Sequence, residues 1–290
     1  PIRRCLDLVA SGIACYIAHT NLDVAPGGVN ETLAKRLGLT AVKPLFPAEA
    51  RQMKLITFVP ATHVDMLREA LAEAGAGKIG DYDQCSFEVA GIGTFLPSED
   101  TAPYSGEKNR LNKEPEIRIE MLLPKHRTGA VIKALFAAHP YEEVAYDLMA
   151  LENTDPRVGL GCVGEFPEPI SREKFIKLVQ TALPVDAMRL ISSDTSRPIR
   201  QVAVLGGSGG AYVSKVPFGI DAFITGDVNY HQALDAQEKR MLVIDAGHHA
   251  TETPIIYTIA ERIQAAFPEV KAFPCADKPP FTIIPASPKD

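Results

Sequence analysis

The stretch AFITGDVNYHQALDAQEKRMLVIDAGHHATE, residues 222–252, shows the repeating pattern on which the fold prediction rests. It predicts a strand from Ala222 to Thr225, a helix from Asn229 to Glu238 and a strand from Met241 to Asp245, and a helix over 253–267 follows. Strands that alternate with helices are typical of an α/β layer with a mostly parallel sheet.

The alternation continues on the N-terminal side of this stretch and recurs at the start of the chain. Further elements are predicted as strand Gln201 to Leu205, helix Ser171 to Leu183, a glycine-rich strand over 158–166, helix Arg3 to Ser11, buried strand Ile13 to Ala18 and helix Asn30 to Leu37. Asn30 is the candidate N-cap of the last of these helices, and Gly38 follows its end. These elements belong to the same α/β core.

The middle of the chain follows a different plan. Two β-α-β units, each with a proline after its first strand, indicate an inserted α+β domain of the ferredoxin-like type. Their elements are strands Lys54 to Val59, Ser86 to Ala90, Glu116 to Leu123 and Glu143 to Leu148, and helices Thr62 to Ala74 and Thr128 to Ala138. Residues 97–115 are expected to form a long hairpin loop between the units.

Two segments have the composition of linkers. Thr40 to Ala50 contains two prolines, and Glu152 to Arg157 is polar. We therefore expect a core split into residues 1–50 and 152–290, with the inserted domain at 51–151.

Composition excludes several classes of protein. With 46% hydrophobic and 23% charged residues the chain is typical of a soluble globular protein, and its apolar stretches are far shorter than the ~20 residues that cross a bilayer. A net charge of −6 with scattered basic residues argues against nucleic-acid binding. Five widely spaced cysteines without a CxxC pair suit a reducing compartment, so a cytoplasmic enzyme with no membrane partner is the expectation.

Two motifs pair a histidine with a carboxylate at the end of a predicted strand. His19 precedes Asp23 by four residues, and His248 precedes Glu252 by four. Ligands of open α/β sheets collect beyond the carboxyl ends of the strands, so the two motifs are expected to meet in one cleft. Imidazole and carboxylate donors suit Zn, Fe, Ni, Co or Mn, and an incomplete set suits a catalytic ion that activates water.

Each motif alone is more typical of helix capping than of a metal site. Asp23 and Thr251 fit helix starts, and Glu252 fits the first turn of a helix, where the dipole favours a carboxylate. The occurrence of two such motifs at equivalent strand ends favours the metal site. His249 is an alternative ligand to His248, but the four-residue spacing and the preceding Gly247 favour His248.

A glycine loop and a third histidine complete the candidate site. Residues 206–210, Gly-Gly-Ser-Gly-Gly, formally match a serine-hydrolase elbow at Ser208, but Pro217 interrupts the long helix which that elbow requires. An anion site that uses Gly207, Ser208 and Gly209, or a plain tight turn, fits better. His231 is a candidate general acid or base, or a surface histidine. Residues 139–143, His-Pro-Tyr-Glu-Glu, are interpreted as a structural turn.

Together and in this order, the motifs resemble the NIF-three-like dinuclear-metal family, whose bacterial members are often named GTP cyclohydrolase 1 type 2. The stretches that carry the resemblance are 18–24 (AHTNLDV), 27–30 (GGVN), 206–210, 225–227 (TGD), Tyr230 with His231, and 245–252 (DAGHHATE). The middle domain resembles the PII/CutA-type insertion of the longer members, in 75–80, 93–95 and 139–146. The likeness runs through nearly the whole chain.

This resemblance implies a function and a set of ligands. Asp23, His248 and Glu252 correspond to metal ligands, and His19 and His231 to polar residues that contact substrate or carry protons. It also implies a homohexamer, a nucleotide-like ligand and opening of the purine ring of GTP by a metal-bound hydroxide. The rival class is a non-enzymatic PII-like scaffold or regulatory adaptor that binds metal.

The sequence departs from the family in one respect. Members carry an upstream His-His pair that binds both metals, and no such pair precedes His19 here. The chain is expected to begin after that segment, and three ligands are too few for two divalent ions. An intact parent would hold two ions per subunit, whereas this chain is expected to bind metal weakly or singly.

Overall fold

A six-stranded mixed sheet forms the core of one of two compact units in the computed structural model. The model describes residues 2–48, 51–192, 197–275 and 278–282. One unit comprises Pro1–Ala48 together with Pro156–Asp290, and the other is Glu49–Asp155.

The regular elements are numbered in chain order. The helices are α1 (Ile2–Ala10), α2 (Thr20–Asp23), α3 (Val29–Arg36), α4 (Val64–Glu73), α5 (Thr128–Ala138), α6 (Arg172–Ala182), α7 (Tyr230–Glu238) and α8 (His248–Ala266). The strands are β1 (Thr40–Pro47), β2 (Arg51–Val59), β3 (Phe87–Phe95), β4 (Asn112–Pro124), β5 (Tyr146–Thr154), β6 (Gly159–Ile170), β7 (Arg189–Ile191), β8 (Ile199–Val204), β9 (Ala222–Thr225) and β10 (Leu242–Asp245). Short 3-10 helices lie at Ala61–His63, Lys125–Arg127 and Gly210–Lys215.

The core sheet has the strand order β1-β6-β8-β9-β10-β7. Strands β8, β9 and β10 pair in parallel, whereas β1 with β6, β6 with β8, and β10 with β7 pair antiparallel. The predicted α/β class is confirmed, and the sheet is mixed because antiparallel strands extend the parallel centre on both sides.

Helices cover both faces of this sheet, which explains why its central strands are continuous apolar runs. All four residues of β9 and of β10 are buried. Ile224 packs on one face with Leu33 of α3 and Phe175 of α6, while Phe223 packs on the other with Ala236 of α7. Burial on two faces removes the polar alternation that marks a half-exposed strand.

The second unit has a four-stranded antiparallel sheet with the order β3-β4-β2-β5. Helices α4 and α5 pack on one face of it, where Leu67 and Leu135 contact the side of the sheet that carries Leu55 and Met121. This strand order with two helices on one face is the predicted ferredoxin-like arrangement, which is confirmed. The opposite face mixes polar and apolar side chains: Glu120 is paired with Lys54 at 2.8 Å, while Phe87, which lies opposite Glu120 in the register, is 65% exposed.

The predicted buried strand from Ile13 to Ala18 is wrong. These residues form no strand, and Tyr16 and Ile17 are 86% and 81% exposed. An apolar run becomes a strand only where a sheet accepts it, and β1 and β7 are the edge strands of this sheet. Tertiary pairing therefore decides this segment against its local propensity.

The linker predicted from Thr40 to Ala50 is also wrong over its described part. Residues 40–47 form strand β1, which pairs with β6, while residues 49 and 50 lie outside the described part of the chain. Strand β1 lies at the edge of the sheet, where proline is tolerated because one side of the strand needs no hydrogen-bond partner. Pro44 and Pro47 therefore indicated an edge strand rather than a linker.

Smaller differences concern where elements begin and end. Strand β4 starts at Asn112, inside the predicted loop over 97–115, and β5 extends to Thr154, into the predicted second linker. Helix α8 starts at His248 instead of Thr253, so both residues of the second histidine motif lie in its first turns. No helix in the described ranges is long and apolar enough to cross a bilayer.

Candidate metal centre

The parallel strands β9 and β10 end side by side and set the position of the candidate centre. Thr225 lies opposite Asp245 in the register, so the segments that follow them emerge at one edge of the sheet. Gly226 makes their close approach possible, since a Cβ atom there would lie 2.6 Å from the backbone nitrogen of His248 and 2.7 Å from the carbonyl oxygen of Gly207.

His248 lies between two carboxylates. Its Nδ1 atom is 2.7 Å from Oδ2 of Asp227, and its Nε2 atom is 3.2 Å from Oε1 of Glu252. The hydrogen bond to Asp227 is the main reason why the pKa of His248 is raised above its ordinary value, and the charge of Glu252 adds to it. Asp227, whose carboxylate bonds to the imidazole, adopts a left-handed backbone conformation with φ of 57°.

The first histidine motif joins the same cluster. Asp23 ends helix α2, and burial raises the pKa of its carboxyl, while the nearby charges of His19 and His248 act in the opposite direction. Both motifs therefore contribute to one electrostatic environment, although residues 13–18 form no strand and only the second motif follows a strand of the sheet. His19 itself is exposed and precedes the first residue of α2.

Asn30 ties these segments together. Its side-chain amide donates to the carbonyl oxygen of Asp23 at 2.9 Å and accepts from the backbone N–H of Gly206 at 2.9 Å. The residue is only 2% exposed. Gly28, rather than Asn30, occupies the N-cap position of α3, so the predicted capping role was wrong. The buried side chain of Asn30 instead links two segments and provides hydrogen-bond partners for the carbonyl oxygen of Asp23 and the N–H of Gly206.

The glycine loop over residues 206–210 is held by hydrogen bonds within the protein. The N–H of Gly207 donates to Oγ1 of Thr251 at 2.9 Å, and that of Gly209 donates to the carbonyl oxygen of Gly207. Two of the three backbone donors that were expected to serve an anion, those of Gly207 and Gly209, are therefore already engaged, and the N–H of the preceding Gly206 bonds to Asn30. Gly207 still lines the centre, since a Cβ there would lie 2.3 Å from Oε1 of Glu252.

Ser208 is exposed at the tip of this loop. The 3-10 helix Gly210–Lys215 follows it, in place of the long α-helix on which a serine-hydrolase elbow is built. A nucleophile role for Ser208 therefore lacks the local structure that it requires.

A buried threonine lies beneath the loop. Thr225 is fully buried, and its Oγ1 atom has no hydrogen-bond partner among the described residues. The missing side chain of Gly209 leaves room for that oxygen, since a Cβ at this glycine would lie 2.1 Å from it. Among the described residues, Oγ1 of Thr225 is thus the only buried side-chain polar atom without a hydrogen-bond partner.

His231 lies on α7 and is exposed, with its ring against that of Tyr230 at a centroid distance of 5.8 Å. The helix begins with a capping box in which Asn229 and Gln232 exchange side-chain and backbone hydrogen bonds. Its role as an acid, a base or a substrate contact stays a prediction.

The nitrogen and oxygen donors around His248 meet part of what a divalent ion requires. Nε2 of His248 and Oε1 of Glu252 are separated by about the distance of two ligand atoms that share one ion, and imidazole with carboxylate suits the metals named above. Asp227 holds the other ring nitrogen, as outer partners of ligating histidines commonly do. Within the described ranges, however, no three His, Cys, Asp or Glu side chains are grouped closely enough to hold an ion. The described residues therefore fit part of the shell of one ion.

Sequence reasoning missed the residues that hold the centre in place. Asp227, Thr251 and Asp245 act through bonds to backbone or ring nitrogens, and no spacing rule points to such contacts. Asp245, only 4% exposed, accepts from the N–H groups of Val228 and Gly247. The available signals were the positions of Asp227 and Asp245 at or just after the ends of β9 and β10, and the presence of all three residues in the stretches 225–227 and 245–252 that carry the family resemblance.

Thr251→Val is expected to destabilise the protein by about 1–3 kcal/mol, because valine keeps the shape but leaves the buried N–H of Gly207 without an acceptor. Urea denaturation followed by circular dichroism measures the change. Thr253→Val is the matched control, since the hydroxyl of Thr253 only returns to its own helix at His249. Equal losses in the two variants would contradict the assigned role of Thr251.

Comparison with known proteins identifies relatives of the whole chain. The family model described as Duf34/NIF3 (NGG1p interacting factor 3) matches residues 2–279. The chain belongs to this family. A crystal structure described as that of a Bacillus cereus protein related to NIF3 superimposes with a TM-score of 0.83 and 37% identity, covering 95% of this chain and 75% of that one.

Two curated relatives carry a more specific name. Proteins of Halalkalibacterium halodurans and Bacillus subtilis, each named GTP cyclohydrolase 1 type 2 homolog, are 42% and 41% identical to this NIF3-family chain over 82% and 86% of its length. The alignments cover 64% and 66% of those proteins, so the chain spans about two thirds of the length of the relatives it matches.

Proposed function

We propose that this NIF3-family protein binds a divalent metal ion through Asp23, His248 and Glu252 and acts as a metal-dependent hydrolase on a nucleotide-like ligand. The observation that carries the proposal is the position of His248, whose two ring nitrogens face Asp227 and Glu252 and whose charge acts on the half-buried carboxyl of Asp23. GTP, with opening of its purine ring, is the substrate that the names of the relatives suggest.

The carboxylates around His248 have different tasks in this proposal. Asp227 accepts a hydrogen bond from Nδ1, which keeps the proton on that nitrogen and leaves the lone pair of Nε2 directed to the ion. Glu252 presents its Oε1 atom on the same side. Because Nδ1 of His248 already bonds to Oδ2 of Asp227, the imidazole does not need to reorient when an ion arrives.

The ion would supply Lewis-acid activation of a water molecule and polarisation of the bond under attack. Around it, the histidines of the chain are suited to proton transfer. His19 is exposed and lies within electrostatic reach of Asp23, and His231 is exposed at the start of α7. Each is proposed to contact substrate or to carry a proton, since an imidazole ring has one nitrogen that can donate a proton and one that can accept it.

We propose weak binding of one ion by these three residues. Three donors fill only part of a divalent ion's shell, and two nearby carboxylates repel each other until a cation compensates them. The proposed assembly is a homohexamer. Its oligomeric state is measured in the test below to show that each variant still assembles.

Glu252→Gln and Asp23→Asn are expected to lower the bound metal per chain at least tenfold and to abolish any metal-dependent turnover of GTP. Both variants keep the size of the side chain and remove the charge that the ion requires. Elemental analysis gives the metal content, chromatographic separation of the nucleotides gives turnover, and light scattering gives the oligomeric state.

Glu261→Gln is the matched control, because Glu261 is an exposed carboxylate on the same helix α8. It is expected to retain both metal and turnover. Unchanged metal content in Glu252→Gln would overturn the ligand assignment. If the metal is lost but the unaltered protein shows no turnover to lose, the non-enzymatic metal-binding scaffold replaces the hydrolase.

A further inference from the structure

The unit Glu49–Asp155 contains a cavity of about 590 Å³ that the proposed metal centre does not use. It lies against β3 and β4, on the face of the sheet opposite the helices, since Glu116 and Arg118 of β4 alternate with the helix-facing Ile119. The loop over residues 96–105 and the segment 141–145 form its walls. This volume is in the range that holds a small organic molecule.

Two glycines of β3 keep the cavity open. A Cβ atom at Gly93 would lie 2.0 Å from Oε2 of Glu116, so the absent side chain lets this carboxylate lie across the strand. A Cβ at Gly91 would meet no atom within 4 Å and would project into open space. Gly91 lies opposite Glu116 in the register, so the open space at this glycine adjoins the residue whose carboxylate lies over Gly93.

Aromatic side chains and a fixed carboxylate determine the chemistry of the walls. The hydroxyl of Tyr141 donates to Oε1 of Glu116 at 2.7 Å, and the ring of Tyr104 lies 5.8 Å from that of Tyr141. His139 fixes this wall, because its Nε2 bonds to the carbonyl oxygen of Phe58 and its Nδ1 accepts from the N–H of Tyr141. The turn over 139–143 thus places Tyr141 against Glu116, beyond the structural role predicted for it.

The charge of the cavity is negative. Glu116, Glu142 and Glu143 line it, against a single cation, Arg118. The guanidinium of Arg118 is already paired with Glu120 at 2.9 Å. An anion would meet three carboxylates and a guanidinium that has a partner, whereas a cation would meet an available carboxylate oxygen and the faces of two tyrosines.

We propose that this cavity binds a small organic cation, an ammonium group carried on an apolar or aromatic body. The ammonium would bond to Oε2 of Glu116, the oxygen that Tyr141 leaves available, and the body would lie against the rings of Tyr104 and Tyr141. A charge-assisted hydrogen bond and cation–π attraction both favour this class of ligand.

The test uses three probes of similar size and different charge: 2-phenylethylamine, 2-phenylethanol and 3-phenylpropionate. Ligand-observed NMR titration of the whole protein is expected to give saturable binding of the amine, at least tenfold tighter than that of the alcohol or the acid. Equal affinities for the three probes, or no saturable binding of the amine, would overturn the proposal.

Two variants locate the binding. Gly91→Leu fills the cavity from a position without a steric neighbour and is expected to abolish binding of the amine, and Glu116→Gln is expected to weaken it about tenfold. Gly129→Leu, on an exposed position of α5 that also has no neighbour, is the control and is expected to bind as the unaltered protein does.

Thermal melts confirm that each variant is folded before its binding is interpreted. Retained binding in folded Gly91→Leu would place the amine elsewhere and overturn the assignment. The NMR titration measures neither metal content nor GTP turnover, so its outcome is independent of the proposed hydrolase activity.

Discussion

Gly226→Ala is expected to lower the free energy of unfolding by about 3 kcal/mol and to separate His248 from its carboxylate partners. The added methyl group would lie 2.6 Å from the backbone nitrogen of His248 and 2.7 Å from the carbonyl oxygen of Gly207. Both are backbone atoms, which cannot swing away as a side chain does, so the cost is at the upper end of that for overpacking. Urea denaturation measures the loss, and the metal content of the folded fraction should fall with it.

Gly129→Ala separates this steric effect from the general effect of replacing glycine. A Cβ at Gly129 meets no atom within 4 Å, and alanine favours a helix, so this control should be neutral or stabilise the protein by up to about 1 kcal/mol. A loss below about 1 kcal/mol in Gly226→Ala would show that the ends of β9 and β10 are not packed as tightly as described.

Asp245→Ala is expected to destabilise the protein by about 3 kcal/mol. The carboxylate is buried, and it accepts hydrogen bonds from the N–H groups of Val228 and Gly247 at 3.1 and 3.0 Å and from Arg189. Its removal leaves two backbone donors without an acceptor, each at a cost of about 1–3 kcal/mol. Chemical denaturation measures the change.

Two further variants resolve the contribution of each partner. Asp245→Asn keeps one carbonyl oxygen and should recover part of the lost stability. Arg189→Met removes the ion pair together with the hydrogen bond to the carbonyl oxygen of Val228. Because the side chain of Arg189 is 65% exposed, the two contacts together should contribute only about 1 kcal/mol, well below the loss in Asp245→Ala. If Arg189→Met were as harmful as Asp245→Ala, the ion pair rather than the backbone bonds would hold the loop.

Local patterns predicted the elements whose ends are marked in the sequence. Helix α5 occupies Thr128–Ala138 and β9 occupies Ala222–Thr225, as predicted, because turn-forming or charged residues bound each apolar run. The segment 13–18 and strand β1 could not be predicted in this way. Whether an apolar run or a proline-containing run becomes a strand depends on which sheet edge accepts it, and this is set by distant residues.

Local patterns likewise predicted some residues of the candidate centre and not others. The spacing of His248 and Glu252 places them side by side on one helix, so pattern alone pointed to these two residues. The first motif also pointed to Asp23, but the strand over 13–18 that was expected to place it does not form. Asp227 and Asn30 could not be found from pattern, because their roles require a left-handed backbone and a bond across 176 positions of sequence.

Strand β1 has a consequence for how the inserted unit is joined to the chain. Pro47 lies opposite Gly159 at the end of the β1–β6 ladder, and the N–H of Ala48 bonds to the carbonyl oxygen of Val158. The segment between Ala48 and Val158 therefore connects β1 to β6 as a hairpin turn would, and its two ends are held about 5 Å apart. Any folded module with termini that meet at this spacing could replace it, so the binding properties of the insert and those of the sheet edge are free to change separately.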